Sequence, residues 1–181
     1  RERMTDLFAR VRDDIADALD ALLPTHSDIA QPMVDAMRHA VLGGGKRMRP
    51  LMACAACEAF SGSFKAALPA ACGLEFIHAY SLIHDDLPAM DDDELRHGQA
   101  ATHVAFGEAN AILAGDSLHS LAFQSLAEAP GLSQAAKLRC ITLLSTAAGW
   151  PGMAGGQCLD IAAEGENLSL ARLEALHSAK T

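Results

Sequence analysis

The chain has 181 residues, half of them hydrophobic but only 4% aromatic, and a net charge of −9 at pH 7. That length suffices for a single domain over residues 1–181 with a real core, and a core built mainly of Ala, Leu, Ile, Val and Met favours close-packed helices over a sandwich or barrel. The negative balance excludes a general nucleic-acid binder, which needs Lys and Arg in excess, while a local cationic cluster can still take a small diphosphate.

Apolar residues recur at three- and four-residue steps from Met4 to Leu22, which predicts an amphipathic helix stopped by Pro24. A second helix is predicted over Pro32 to Leu42, ending at the glycines of "GGGKRMRP". Pro50 can open a third, "PLMACAACEAF", because proline suits a first helical turn. Ser61 to Lys65 reads as a loop, and a fourth helix covers about Pro69 to Ile83. "ATHVAFGEANAILAGDSLHSLAFQSLAEA" reads as one long helix weakened by Gly107 and Gly115. Its small residues Ala109, Ala111, Ala114 and Gly115 would let a neighbouring helix approach closely. "SQAAKLRCITLLSTAAGW", "GMAGGQCLDIAAEG" and "SLARLEALHSAKT" are three further helices, the last with Ser169 as N-cap. No period-2 strand, internal repeat or low-complexity linker is legible, so the predicted architecture is all-α. The final "EALHSAKT" has the period of a helix interior with no stop residue, and the native product is expected to continue beyond it.

The five cysteines are odd in number and sit in apolar helical surroundings, which predicts no disulfide framework and fits a reducing compartment. Cys54 and Cys57 form a lone C-x-x-C with no second pair and no preceding strand; packed thiols at i, i+3 are the plainer reading. No signal peptide, lipidation motif or run of about 20 apolar residues is read, so a cytoplasmic protein without a stable membrane anchor is expected.

Two segments carry chemistry. In "HDDLPAMDDDELRHG" an apolar helix ends in carboxylates, although a helix C-terminus prefers cations. Asp85 and Asp91 would point about 120° apart on an unbroken helix, but Pro88 should bend the chain so that they converge. A solvated acidic turn is one reading; a divalent cation is the other, and oxygen donors without His or Cys then suggest Mg²⁺ over Zn²⁺. "GGGKRMRP" fails the P-loop pattern, yet Lys46, Arg47 and Arg49 lie between a glycine turn and a helix start, where anions are favoured. A basic loop on a solvated face is the alternative. Together the two segments point to Mg²⁺-diphosphate chemistry. His78 reads either as a satisfied core histidine or as part of that site. Gln157 and Asp160 share a helix face, and Gly155 and Gly156 beside them imply a close approach. Arg96 and His97 follow the acidic cluster and could reach a metal-held phosphate.

In that order, "GGGKRMRP", "IHAYSLIHDDLPAMDDDELRHG", "FGEANAILAGDSL", "GGQCLD" and the terminal "KT" resemble the all-trans polyprenyl diphosphate synthases, most of all the bacterial short-chain farnesyl diphosphate (geranyltranstransferase) type. The resemblance runs from about Met33 to Thr181. It implies an all-α isoprenoid-synthase bundle around a central cavity, here without its C-terminal helices, and a homodimer. It also implies a prenyltransferase that condenses isopentenyl diphosphate with dimethylallyl or geranyl diphosphate. Asp85 and Asp91 would hold Mg²⁺, supported by Asp86. Lys46, Arg49, His78 and, in place of the usual arginine, His97 would bind isopentenyl diphosphate. Arg96, Lys180 and Thr181 would serve the allylic diphosphate, Gln157 and Asp160 would lie near the reacting carbons, and Tyr80, five residues before Asp85, would limit the product to C15. Other chain lengths, a class I terpene cyclase and a non-catalytic regulatory subunit are the rival readings.

This sequence departs from the family pattern twice. Arg96-His97 stands where the family reads Arg-Arg; histidine is shorter and mostly neutral at pH 7, which predicts weaker isopentenyl diphosphate binding that improves below about pH 6.5. The second aspartate-rich motif does not occur within these 181 residues, so this stretch alone is expected to be inactive.

Overall fold

The apolar repeat near the start folds as its period predicts: α1 spans Met4–Leu22 and buries Val11, Ile15 and Leu19 along one stripe. The computed structural model describes residues 4–61 and 63–180. Helix α2 spans Gln31–Leu42 with Pro32 in its first turn, and α3 spans Met48–Ser61, starting two residues ahead of Pro50. The predicted loop at 61–65 is helical at both ends instead: α3 reaches Ser61 and a 3₁₀ turn covers Phe64–Ala67. That turn forms because Phe64 is buried and its N–H donates to Glu58 Oε2 at 2.6 Å.

Helix α4, Leu68–Asp85, is the hub of this part of the chain. It buries Phe76, Ile77 and Ile83 and packs on α1, α2 and α3 as well as on the later α6. The stretch Phe64–Asp85 is long and apolar enough by composition to cross a membrane, contrary to the sequence reading that no such run exists. The 3₁₀ turn and α4 together make the run, and burial inside the protein accounts for its apolar core residues.

The predicted single helix after Ala101 is two. α5 spans Thr102–Phe106 and α6 spans Glu108–Ala127, separated at Gly107 with φ +83°. Glycine alone adopts that conformation without strain, and the break turns the Phe106 ring edge-on to His39 of α2, centroids 5.3 Å apart. α4 and α6 then run antiparallel in close contact. A Cβ on Gly73 would lie 3.2 Å from the Ala122 carbonyl oxygen, and one on Gly115 would lie 2.7 Å from His84 Cδ2. Ala111, Ala114 and Gly115 are buried on this face as the small-residue pattern predicts, whereas Ala109 is exposed.

A hairpin that the sequence did not reveal sits between α4 and α5. β1 (Leu95–Arg96) pairs antiparallel with β2 (Gln99–Ala100), Leu95 opposite Ala100 and Arg96 opposite Gln99. The two turn residues, His97 and Gly98, both have positive φ (+53° and +80°), the requirement of a type I′ turn. His39 Nε2 donates to the Ala100 carbonyl at 2.9 Å and ties the hairpin to α2.

The residues through Leu132 make one compact unit and those from Ser133 another. In the second, α7 spans Gln134–Ala148, α8 Met153–Ala162 and α9 Leu170–Lys180. Ser133 Oγ caps α7 by accepting from Ala136 N–H at 3.2 Å, and Ser169 Oγ accepts from Arg172 N–H at 3.4 Å at the start of α9. Gly156 is needed where α8 meets α9: an added Cβ would stand 2.6 Å from the Lys180 backbone nitrogen.

Candidate active site

The glycine loop between α2 and α3 can only be built with glycines. Gly44 and Gly45 have φ of +122° and +108°, and Arg47 follows at +52°. The loop, α4 and the hairpin tip together line a cleft of about 480 Å³ whose walls include Lys46, Arg49, His78 and His97. These are the four residues assigned to isopentenyl diphosphate from the sequence, and three separate segments bring them to one place. His97 reaches across to the loop, with its Nε2 3.6 Å from the position a Gly45 Cβ would take. Burial, reinforced by the Arg49 guanidinium, holds His78 below its usual value of 6.5.

Arg47 belongs to the same basic run but turns inward. Its Nη1 donates to Glu75 Oε1 at 2.5 Å and its Nη2 donates to the Val41 carbonyl. Glu75 is buried on α4, one turn before His78. Sequence reading missed it, although an acid inside the most apolar helix is a signal in its own right.

At the other end of α4 the helix stops at Asp85, and the chain curls as Pro88 predicts. Asp91 N–H donates to the Asp85 carbonyl at 2.8 Å, and Met90 N–H donates to Leu87 C=O at 2.8 Å. The two aspartates are thereby adjacent in the backbone. Asp86 is committed elsewhere: it is buried, and Arg96 grips it with Nε at 3.0 and 3.2 Å from the two carboxylate oxygens and with Nη2. Nη2 also donates to Asp93 at 3.1 Å. The hydrogen bond to Asp86 raises the Arg96 pKa further. Asp85 is half-buried and Asp91 exposed, two hard carboxylate donors of the kind and number that Mg²⁺ takes beside substrate phosphates. Among the described residues no three His, Cys, Asp or Glu side chains converge as a ready-made metal cage.

Tyr80 stands five residues before Asp85 in a row of rings. Its centroid lies 5.7 Å from that of His84 and 5.0 Å from that of His119, which in turn is 5.1 Å from Phe123. Burial, with the Asp85 charge adding to it, raises the Tyr80 pKa, so the phenol stays neutral.

In the second unit Lys180 Nζ donates to Asp160 Oδ2, and Gln157 keeps a buried side-chain oxygen without a hydrogen-bond partner. The Gly-Gly pair has the close approaches its presence implied, Gly155 against the Trp150 carbonyl and Gly156 against α9. Thr181 lies outside the described residues.

Residues 30–181 match the polyprenyl synthetase family. The chain is 50% identical over 152 residues to a farnesyl diphosphate synthase of Escherichia coli (strain K12), covering 83% of this chain and 51% of that protein. It is 45% identical over 170 residues to the large subunit 1 of a chloroplastic heterodimeric geranylgeranyl pyrophosphate synthase of Arabidopsis thaliana, covering 91% and 45%. The crystal structure of an FPP/GFPP synthase from Zymomonas mobilis matches with a TM-score of 0.92 at 41% identity, over 98% of this chain and 65% of that one. A geranyltransferase from Legionella pneumophila matches with a TM-score of 0.93 at 34% identity, over 98% and 63%. The chain spans about half the length of the curated relatives it matches. With most of its residues inside the family match and its helices following those of solved isoprenyl synthases, the chain belongs to the polyprenyl synthetase family.

Proposed function

We propose that the protein is a prenyltransferase that joins isopentenyl diphosphate to dimethylallyl or geranyl diphosphate, with farnesyl diphosphate as product. The observation that carries this reading is the shared use of α4. His78 faces a cleft lined by Lys46, Arg49 and His97, while Asp85 lies seven residues on, about 10 Å along the axis. One helix thus serves two diphosphates of different kinds, one held by cations and one by carboxylates through a metal. Lys46 and Arg49 bind the isopentenyl diphosphate oxygens, and His78 donates a hydrogen bond. Asp85 and Asp91 would hold Mg²⁺, which when bound draws negative charge from the departing allylic diphosphate. Arg96, Lys180 and Thr181 add cationic and hydroxyl contacts to that diphosphate. Gln157 and Asp160 flank the reacting carbons, where the Gln157 side-chain oxygen, which lacks a hydrogen-bond donor, would turn its negative dipole end to the positive charge that develops on the allylic carbon. Tyr80, braced by His119, closes the floor of the hydrocarbon channel.

The working unit is a homodimer, supported by the exposed Ile112 and Leu113 on α6. A reducing, cytoplasmic setting is supported by the buried thiols of Cys54 and Cys72, which burial pushes up to about 11 and about 12. A longer product is the second reading, favoured by the likeness to a geranylgeranyl pyrophosphate synthase subunit. Incubating the full-length protein with Mg²⁺, isopentenyl diphosphate and dimethylallyl diphosphate, then analysing the products, tests both. A C15 diphosphate is expected, C20 would transfer the assignment to the second reading, and no consumption of isopentenyl diphosphate would refute the synthase.

A further inference from the structure

An acid in an anion-binding cleft is electrostatically misplaced, and Glu75 is such an acid: it lies one turn before His78, lines the same cleft and is only 4% exposed. Its partner Arg47 donates to it at 2.5 Å and, with the other terminal nitrogen, to the Val41 carbonyl in the last turn of α2. The loop that Arg47 ends has three residues at positive φ, Gly44, Gly45 and Arg47 itself, so no regular backbone ladder holds it.

We propose that Glu75 and Arg47 are positioning residues for the diphosphate cleft, the buried pair pinning the glycine loop between α2 and α4 so that Lys46 and Arg49 are presented to the anion. The inference rests on the synthase reading of that cleft. Arg47 and Glu75 neutralise each other, so the pair removes one cation from the basic run and leaves Lys46 and Arg49 as the charges that meet the ligand. The pair touches neither the metal aspartates nor the hairpin's Arg96–Asp86 contact, so its effect falls on one substrate.

The test uses the full-length protein and separates a role in placement from one in stability alone. Glu75→Gln should raise KM for isopentenyl diphosphate on the order of tenfold to a hundredfold, with the allylic KM little changed. Arg47→Lys, which keeps the charge but cannot fork to both Glu75 and Val41, should do the same. The double variant Arg47→Met/Glu75→Gln removes both buried charges and should recover the melting temperature, yet its isopentenyl diphosphate KM should stay raised. Full recovery of KM along with stability would overturn the proposal, as would an equal rise in both KM values. Inorganic pyrophosphate titrated calorimetrically in EDTA reads the cleft without turnover or metal. Weaker binding to folded Glu75→Gln than to wild type is expected, and equal binding overturns the inference. A wild type that binds pyrophosphate in this Glu75-dependent way but consumes no isopentenyl diphosphate refutes the synthase reading alone.

Discussion

Gly115 shows how one absent side chain positions a functional end of a helix. His84 precedes Asp85 and fits only because Gly115 leaves room; its Nε2 donates to the Ile112 carbonyl at 3.2 Å. Gly115→Ala would force the imidazole away and should cost about 1–3 kcal/mol in urea unfolding; an unchanged midpoint would show that the ring repacks freely. His78 yields a pH prediction. Its folded-state pKa lies below the usual 6.5, so the unfolded chain takes up the proton first. Its contribution is therefore constant above that value, and stability falls as the pH drops from there through the folded-state pKa. Unfolding midpoints at about pH 7.5 and 5.5 should differ more for wild type than for His78→Asn. Burial is the main physical cause, and of the groups facing His78 the Arg49, His97 and Arg47 side chains add to it while Glu75 opposes it. His97 itself has a backbone reason to be histidine, since its φ of +53° lies where His is among the better tolerated residues. His97→Arg should nonetheless lower KM for isopentenyl diphosphate several-fold by restoring a guanidinium fork; no change would remove His97 from that site.

Among elements, the pairing of α4 with α6 and of α8 with α9 rest on the same device, a glycine under a neighbouring chain, but with different tolerance. At Gly115 the obstacle is an imidazole, whereas at Gly156 it is the backbone of Lys180 and Ala179, which cannot rotate away. Gly156→Ala should therefore push α9 off α8, break the Lys180–Asp160 contact and speed hydrogen exchange throughout α9, at a cost of about 3 kcal/mol or more. Exchange confined to its usual rate would mean that the helices separate little. Most elements were legible because helical periods of 10–20 residues average over local exceptions. The exceptions were short. The β1–β2 hairpin has two-residue strands, too few for a period, and only His97-Gly98 before Gln99 hinted at a turn. The Gly107 break was read as mere weakening, because composition cannot say whether a glycine is used for its φ or for its size.

For the whole molecule the proposed synthase reading makes the metal the decisive variable. Treating the full-length protein with EDTA should abolish turnover, and Mg²⁺ should restore it. On that reading Asp85 and Asp91 supply only two protein carboxylates to the ion, and Mg²⁺ should bind at least tenfold more tightly with pyrophosphate present than alone. Calorimetry showing equal affinity would mean that the aspartates hold the ion without a phosphate. The net charge of −9 makes the pocket of Lys46 and Arg49 the more distinctive, since the anion binding proposed there would be local and opposed by the overall field.

Sequence alone determined the all-α class, the family resemblance and the identity of most candidate ligands, because motifs such as "HDDLPAMDDDELRHG" carry their chemistry in contiguous residues. Lys46, Arg49, His78 and His97 were named from motif position, but only the fold brings three segments around one cleft. The division of labour among like charges was also tertiary. Arg47 and Arg49, or Asp85 and Asp86, are neighbours with the same chemistry in the sequence. What separates them is direction: Arg47 and Asp86 turn inward to Glu75 and Arg96, where a buried charge is stable only when paired.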